Sequence, residues 1–251
     1  MKLHQFLRVD ELDPHRCVRG IVPASVLGTL RLVFSLFYLI VLVVYLCNLP
    51  AIAVKPIAFL TLLSFYGLFA YLLVSTYQSL RFQLNPSHVP WEGWHWTFRF
   101  LYYLHYQINV VLSFVVTLVY WSILAKPDLA VNKGTASLFT SISMHAFNSV
   151  IIFTEVALGS NPFVLSHIVL ALPFVYLYLP YAFLIHAIHG FWIYSFLDYT
   201  AHPITTLITI AMVIVVSVLY YVFMWFVHSK RDQLIQKHHL LKSPPLSVTQ
   251  V

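Results

Sequence analysis

Long apolar stretches, separated by short polar ones, recur along the whole chain. Six of them are long enough to cross a bilayer as a helix, which takes about 20 residues. They lie near residues 27–47, 57–77, 104–124, 138–158, 163–184 and 204–227. The pattern predicts an all-α polytopic membrane protein with six transmembrane helices. We interpret it as a single integral membrane domain, 1–251, in which an N-terminal tail (1–26) and a C-terminal tail (228–251) flank the six-helix bundle of 27–227.

Two of the connections between these stretches have an informative composition. The residues GSNP at 159–162 predict a tight turn, so we expect the fourth and fifth spans to form a helical hairpin. The segment 83–100 contains prolines and three tryptophans. Proline ends helices and tryptophan prefers the headgroup level of the membrane, so this segment is predicted to be an interfacial loop.

Composition and charge further limit the class of protein and its expected partners. Hydrophobic residues make up 60% of the chain and charged residues 9%, against about 25% charged residues in a soluble domain. The net charge of +6 comes mostly from the two tails. Because no folded module carries a basic face, we expect no nucleic acid as partner, and anionic lipid headgroups as the counterpart of the tails. The distribution of Lys and Arg places both termini in the cytosol, with the endoplasmic reticulum or the plasma membrane as the expected location.

The fourth span carries three polar side chains, His145, Asn148 and Glu155. Ionisable groups inside spans are costly and usually face the bundle interior, where they are functional candidates. His145 and Asn148 share a helix face because they are three residues apart. Glu155 lies roughly 15 Å beyond His145 along the helix axis. We therefore expect Glu155 to belong to a second polar contact nearer the cytosol, where a pair with His105 is geometrically open.

Thr61 is a hydroxyl at a depth similar to that of His145. It lies roughly 8 Å into the second span from the non-cytosolic face, and His145 lies roughly 12 Å into the fourth. The two spans run in the same direction, so the side chains could meet. A threonine hydroxyl is a poor nucleophile until a base takes its proton, and histidine is the usual base. Structural alternatives remain open for both residues: a threonine that bonds a carbonyl one turn back, and a histidine that bonds across helices.

A second polar set, His186 and His189, ends the fifth span. Their spacing can present two imidazoles to one metal or haem, although two histidines without an accompanying glutamate are a weak metal signature. The alternatives are an interfacial aromatic belt, hydrogen bonding to headgroups, and one wall of a site on this membrane face. The two cysteines, Cys17 and Cys47, give neither a disulfide framework nor a metal spacing. We expect no metal and no cofactor.

Three stretches together resemble the androgen-induced / androgen-dependent TFPI-regulating protein family of membrane proteins. They are FLT at 59–61, MHAFNSVIIFTE at 144–155 and HAIHGFWIYSFLD at 186–198. Their order is similar, and so is the interval of 84 residues between Thr61 and His145. Members of that family are multi-span threonine hydrolases that cleave fatty acid esters of hydroxy fatty acids. The resemblance implies that Thr61 is the nucleophile and His145 the base.

The sequence hypothesis is therefore an intramembrane enzyme, a carboxylic ester hydrolase with a threonine nucleophile, whose partners are the bilayer and a lipid ester. Asn148 is the candidate donor to the oxyanion or to the catalytic histidine. His186 and His189 are the candidates for binding the free carboxylate of the substrate. The reaction we expect needs no cofactor.

Two rival functions remain open at this level. The first is a haem-binding membrane redox protein, with His105, His145, His167 and His186 as ligands between spans. The second is a non-catalytic membrane transporter or scaffold, in which Glu155 and the histidines form a proton or ion path. The first rival requires histidine pairs that face each other at matched depth on two helices. The second predicts that Thr61→Ala leaves function intact while Glu155→Gln does not.

Overall fold

The computed structural model describes residues 3–9, 12–48, 59–130 and 134–242. Those residues form helices and connections, and no strand occurs among them. Six helices are long and apolar enough to cross a membrane, which confirms the predicted all-α polytopic fold. We label them α1 to α6 in chain order: Ala24–Cys47, Leu60–Leu84, Trp96–Leu124, Gly134–Leu158, Leu165–His189 and Pro203–Lys242. The chain is an integral multi-pass membrane protein.

Helix α3 lies at the centre of the bundle. It contacts α2, α4, α5 and α6, and 56% of its most apolar window is buried, against 22% for α1 and for α6. The outer helices expose large apolar side chains, such as Ile40 (56% exposed) and Leu207 (69% exposed). Such side chains suit hydrocarbon, and polar groups do not. The bundle therefore holds its polar side chains inside and presents apolar ones to the lipid.

Helix α3 begins earlier than the hydropathy pattern predicted. It starts at Trp96 and not near 104, because the His95 side chain accepts a hydrogen bond from the backbone N–H of Thr97 and caps the helix. The connection between α2 and α3 is therefore shorter than the predicted loop 83–100. A hydropathy window detects residues suited to hydrocarbon, whereas caps decide where a helix begins.

Helix α5 is interrupted and longer than predicted. Pro173 lies inside its first part, Ile168–Tyr176, and a turn at Leu177 separates that part from the second, Tyr178–His189. Pro180 follows Leu177 by three residues, and because proline lacks an N–H and crowds the carbonyl four residues before it, the regular helix is interrupted at this point. The second part ends where Gly190 adopts a left-handed conformation (φ 71°), which glycine reaches without steric cost.

The connection after α4 packs against the chain segment that precedes α1. Gly20 and Gly159 form an isolated antiparallel bridge, and the N–H of Ile21 donates to the carbonyl of Leu158 at 2.8 Å. The approach is so close that a Cβ on Gly20 would lie 1.9 Å from the Leu158 oxygen. Helices α4 and α5 each pack on α3. The N-terminal segment is therefore part of the folded bundle.

Candidate active site

The two residues singled out by depth are in contact. Thr61 lies in the first turn of α2 and is 9% exposed, and His145 lies near the middle of α4. Thr61 Oγ1 is 3.1 Å from His145 Nε2. This distance is within the hydrogen-bonding range that a general base needs to take the proton of a nucleophile.

The other nitrogen of His145 determines which role the ring can play. His145 Nδ1 is 2.6 Å from the carbonyl oxygen of Ser141. A carbonyl oxygen can only accept, so Nδ1 carries the proton. In the neutral form with this proton on Nδ1, the ring presents a lone pair at Nε2 towards the Thr61 hydroxyl. This is the tautomer in which a histidine acts as a base towards threonine.

Two π-helical turns position His145. One covers Ser143–Phe147 in α4 and the other covers Tyr120–Leu124 at the end of α3. π-turns widen a helix locally and occur frequently at functional sites. The Tyr120 ring stacks on the His145 ring, with centroids 3.6 Å apart and an interplanar angle of 16°. Thr117 Oγ1 donates to the His145 carbonyl at 2.6 Å. These contacts hold the imidazole in one orientation.

Tyr194 is a third residue at the site, and the sequence analysis did not select it. Its hydroxyl oxygen accepts a hydrogen bond from the backbone N–H of Leu60 at 3.2 Å. Tyr194 also lines a small cavity together with Thr61 and Tyr178. Burial raises the pKa of Tyr194, while the Thr61 side chain lowers it in part, so the hydroxyl keeps its proton at neutral pH. The sequence feature that could have pointed to Tyr194 is its place in the motif HAIHGFWIYSFLD, which lies at the same end of the bundle as Thr61.

Asn148 lies one turn beyond His145 and faces a different helix. Its Oδ1 accepts a hydrogen bond from the Tyr38 hydroxyl of α1. Its Nδ2 is buried without a hydrogen-bond partner in the described part of the chain. The Tyr38 ring stacks on Phe65 at 4.6 Å, one turn deeper than Thr61. The amide therefore belongs to the α1 side of the bundle.

His186 and His189 occupy the last turn of α5. The His186 ring stacks on Trp192, with centroids 3.7 Å apart, and its Nδ1 has no hydrogen-bond partner among the described residues. His189 lies beside Phe191. Within the ranges that the structure covers, no three His, Cys, Asp or Glu side chains are placed to hold a metal ion. Both histidines belong to the aromatic segment that also carries Tyr194.

Two cavities lie at the end of α2 that carries Thr61, and Thr61 lines the smaller one. A groove of about 1110 Å³ runs between α2, α3 and α5, and a smaller cavity of about 70 Å³ is lined by Thr61 and Tyr194. They share three lining residues, Leu60, Val175 and Tyr178. Along α2 the groove extends from Leu60 to Gln78, about 27 Å at 1.5 Å per residue, close to the roughly 30 Å of the hydrocarbon core. Its mainly apolar lining can accommodate a long acyl chain.

Glu155 belongs to a separate polar centre, and the pairing with His105 is wrong. Arg31 holds Glu155 with two hydrogen bonds of 2.7 Å each, Nε to Oε1 and Nη2 to Oε2. The Tyr71 hydroxyl donates to the same carboxylate at 2.8 Å. Arg31 also donates to the carbonyl of Cys17, so this centre fixes the N-terminal segment to the bundle. Burial raises the pKa of the Cys17 thiol to about 12, which makes it unreactive.

Several histidine nitrogens named for the haem alternative are already engaged. His167 Nδ1 pairs with the Gln107 amide at 2.8 Å, and its Nε2 donates to the carbonyl of Leu7 at 2.8 Å. His145 uses both nitrogens as described above. An axial haem ligand needs a free imidazole nitrogen, which these two rings do not offer.

Comparison with known proteins adds no assignment. No protein-family model, no curated protein and no solved structure matches the chain. What the site can do chemically therefore follows from its geometry. A threonine hydroxyl is hydrogen-bonded to a histidine, a tyrosine hydroxyl lines the same small cavity, and an apolar groove shares part of that cavity's lining.

Proposed function

We propose that this protein is an intramembrane hydrolase of lipid esters, with Thr61 as nucleophile and His145 as general base. The observation that carries the proposal is a chain of two hydrogen bonds. One joins Thr61 Oγ1 to His145 Nε2, and the other joins His145 Nδ1 to the Ser141 carbonyl oxygen. A threonine with a purely structural role commonly bonds to a carbonyl of its own helix. Here the hydroxyl instead faces a base whose protonation state suits proton removal.

The reaction proceeds in two halves. His145 Nε2 takes the Thr61 proton while Oγ1 forms a bond to the ester carbonyl carbon, whose π electrons move to the carbonyl oxygen. The tetrahedral intermediate collapses, the bond to the alcohol oxygen breaks, and Nε2–H returns the proton to the leaving alkoxide. Water then attacks the acyl-threonine and gives a proton to Nε2. The second collapse releases the carboxylic acid and restores Thr61.

The substrates we propose are fatty acid esters of hydroxy fatty acids. Two observations support a long-chain ester of this kind: the length of the apolar groove, and the three residues that line both the groove and the Thr61 cavity. The groove opens sideways between helices, where exposed side chains such as Leu73 and Phe174 line it. A lipid could therefore enter from the membrane without crossing water. His186 and His189 stay candidates for the free carboxylate.

The test is ester hydrolysis by the purified protein in detergent, with a branched fatty acid ester of a hydroxy fatty acid. Thr61→Ala and His145→Ala are compared with wild type at equal folded amounts. Thr154→Ala is the matched control, since the Thr154 hydroxyl only bonds the Val150 carbonyl of its own helix at 2.8 Å. We expect both site variants to lose at least about a hundredfold in rate and the control to keep its rate. Full activity in Thr61→Ala would disprove the mechanism.

A further inference from the structure

We propose that Tyr194 is the oxyanion donor of this site, through a hydrogen bond from its hydroxyl to the ester carbonyl oxygen as Thr61 attacks. The inference rests on the proposed hydrolase function, because it assigns a further residue and a binding position to the same reaction. It takes from Asn148 the role of oxyanion donor that the sequence suggested.

The first step concerns where the Tyr194 hydroxyl is held. Its oxygen accepts the N–H of Leu60, at the first turn of α2, where the helix leaves N–H groups unpaired. The ring is fixed on two sides, by Phe59 with centroids 5.8 Å apart and by Phe196 with centroids 5.0 Å apart. A hydroxyl that accepts from the backbone can donate its own proton elsewhere, and the phenol lines the same small cavity as Thr61.

The second step concerns the space that the carbonyl must occupy. The small cavity is lined by Thr61 and by Tyr194, so a carbonyl carbon that meets Oγ1 there places its oxygen near the phenol. Asn148 lines neither this cavity nor the groove, and its Oδ1 is engaged by Tyr38. Tyr194 is therefore better placed than Asn148 to meet the developing charge.

The third step is the change of hydrogen bonds during attack. In the resting site the Thr61 hydroxyl is hydrogen-bonded to His145, and Tyr194 lines the small cavity beside it. When Oγ1 gives its proton to His145 and bonds to the carbonyl carbon, the π electrons of the carbonyl move to its oxygen, and negative charge appears there. The Tyr194 proton then bonds to that oxygen without leaving the phenol. The N-terminus of α2 adds a favourable partial positive charge on the same side.

The experiment compares an oxo-ester with the thionoester of the same chain, in wild type, Tyr194→Phe and Tyr199→Phe. Sulfur is a weak hydrogen-bond acceptor, so the ratio of the two rates reports bonding to the oxyanion. A structural role of Tyr194 would lower both rates equally. Tyr199→Phe is the matched control, since Tyr199 is an exposed tyrosine close to Tyr194 in the chain and lines neither cavity.

We expect Tyr194→Phe to lower kcat about a hundredfold with KM within about twofold, and to lower the oxo-to-thiono rate ratio at least about tenfold. Tyr199→Phe should match wild type in both. If Tyr194→Phe does not fold, 3-fluorotyrosine at 194 keeps the shape and strengthens the donor, and should raise the ratio. An unchanged ratio in either variant, with an active wild type, overturns the role of Tyr194 alone. A wild type inactive on every ester overturns the hydrolase proposal together with it.

Discussion

Removing one member of the Arg31–Glu155 ion pair should destabilise the bundle strongly. The Arg31 side chain is 0% exposed and that of Glu155 2% exposed. Two hydrogen bonds join them, and Tyr71 and Ser79 complete the polar shell. In Glu155→Gln the guanidinium stays buried but loses its counter-charge. The surrounding groups are too fixed to replace it.

The magnitude follows from burial. Breaking a buried ion pair by removing one partner costs about 3–5 kcal/mol, because an uncompensated charge remains inside. For a chain of this size, each kcal/mol lowers the melting temperature by about 2–4 °C. Glu155→Gln and Arg31→Met should therefore each lower it by about 6–20 °C. In the double variant, Arg31→Met with Glu155→Gln, neither charge remains. Its melting temperature should therefore fall by less than the sum of the two single decreases.

The assay is thermal unfolding of the purified protein in detergent, followed by intrinsic fluorescence. Glu92→Gln is the matched control, because Glu92 lies exposed in the connection before α3 and should change stability by less than about 0.5 kcal/mol. Ester hydrolysis is measured on the same samples at equal folded amounts, where Glu155→Gln should retain its rate. A Glu155→Gln protein as stable as the control, or a double variant with additive losses, would refute the energetic reasoning.

Two further predictions concern the groove and the orientation. Leu63 lines the groove and is 39% exposed, so Leu63→Trp should fill the groove and slow hydrolysis of long-chain esters more than that of short-chain esters. Leu207→Trp, on the lipid face of α6, should slow the hydrolysis of neither. Equal slowing of both chain lengths by Leu63→Trp would contradict the groove assignment. In sealed vesicles of known sidedness, an impermeant maleimide at pH 8 should modify the exposed Cys47 only from the side opposite the termini. Cys17 should stay unmodified because its thiol, with a pKa of about 12, is protonated at that pH and buried. Labelling of Cys47 from the side of the termini would contradict the orientation, and Cys47→Ser provides the blank.

The contact between Thr61 and His145 could be predicted from the sequence to a greater extent than the other contacts of the site. Both lie at similar depths in spans that run in the same direction, so helix rise alone brings them to the same level. Depth does not give rotation about the helix axis, and the two π-turns that turn His145 towards Thr61 have no sequence pattern that we could read. Tyr194 was missed for a related reason. It lies in the connection after α5, and the path of a connection depends on what it packs against.

Arg31 shows a second limit of prediction from the sequence. In the sequence it was one of several cations near the first span and supported the orientation of the termini. In the folded bundle it is fully buried and pairs with Glu155, which is 124 residues away. A charged residue at the end of a span is readily interpreted as facing water. Whether it instead finds a partner inside depends on how the helices assemble.

The sequence by itself determined that this is a six-span helical membrane protein and which polar residues in the spans require an explanation. It could do so because transfer into hydrocarbon is a local property, summed residue by residue along about 20 positions. Only the tertiary structure decided which polar groups come together: Thr61 with His145 beside Tyr194, and Glu155 with Arg31. Those contacts depend on helix rotation, on π-turns and on the path of the connections, which side chains distant in the chain determine jointly.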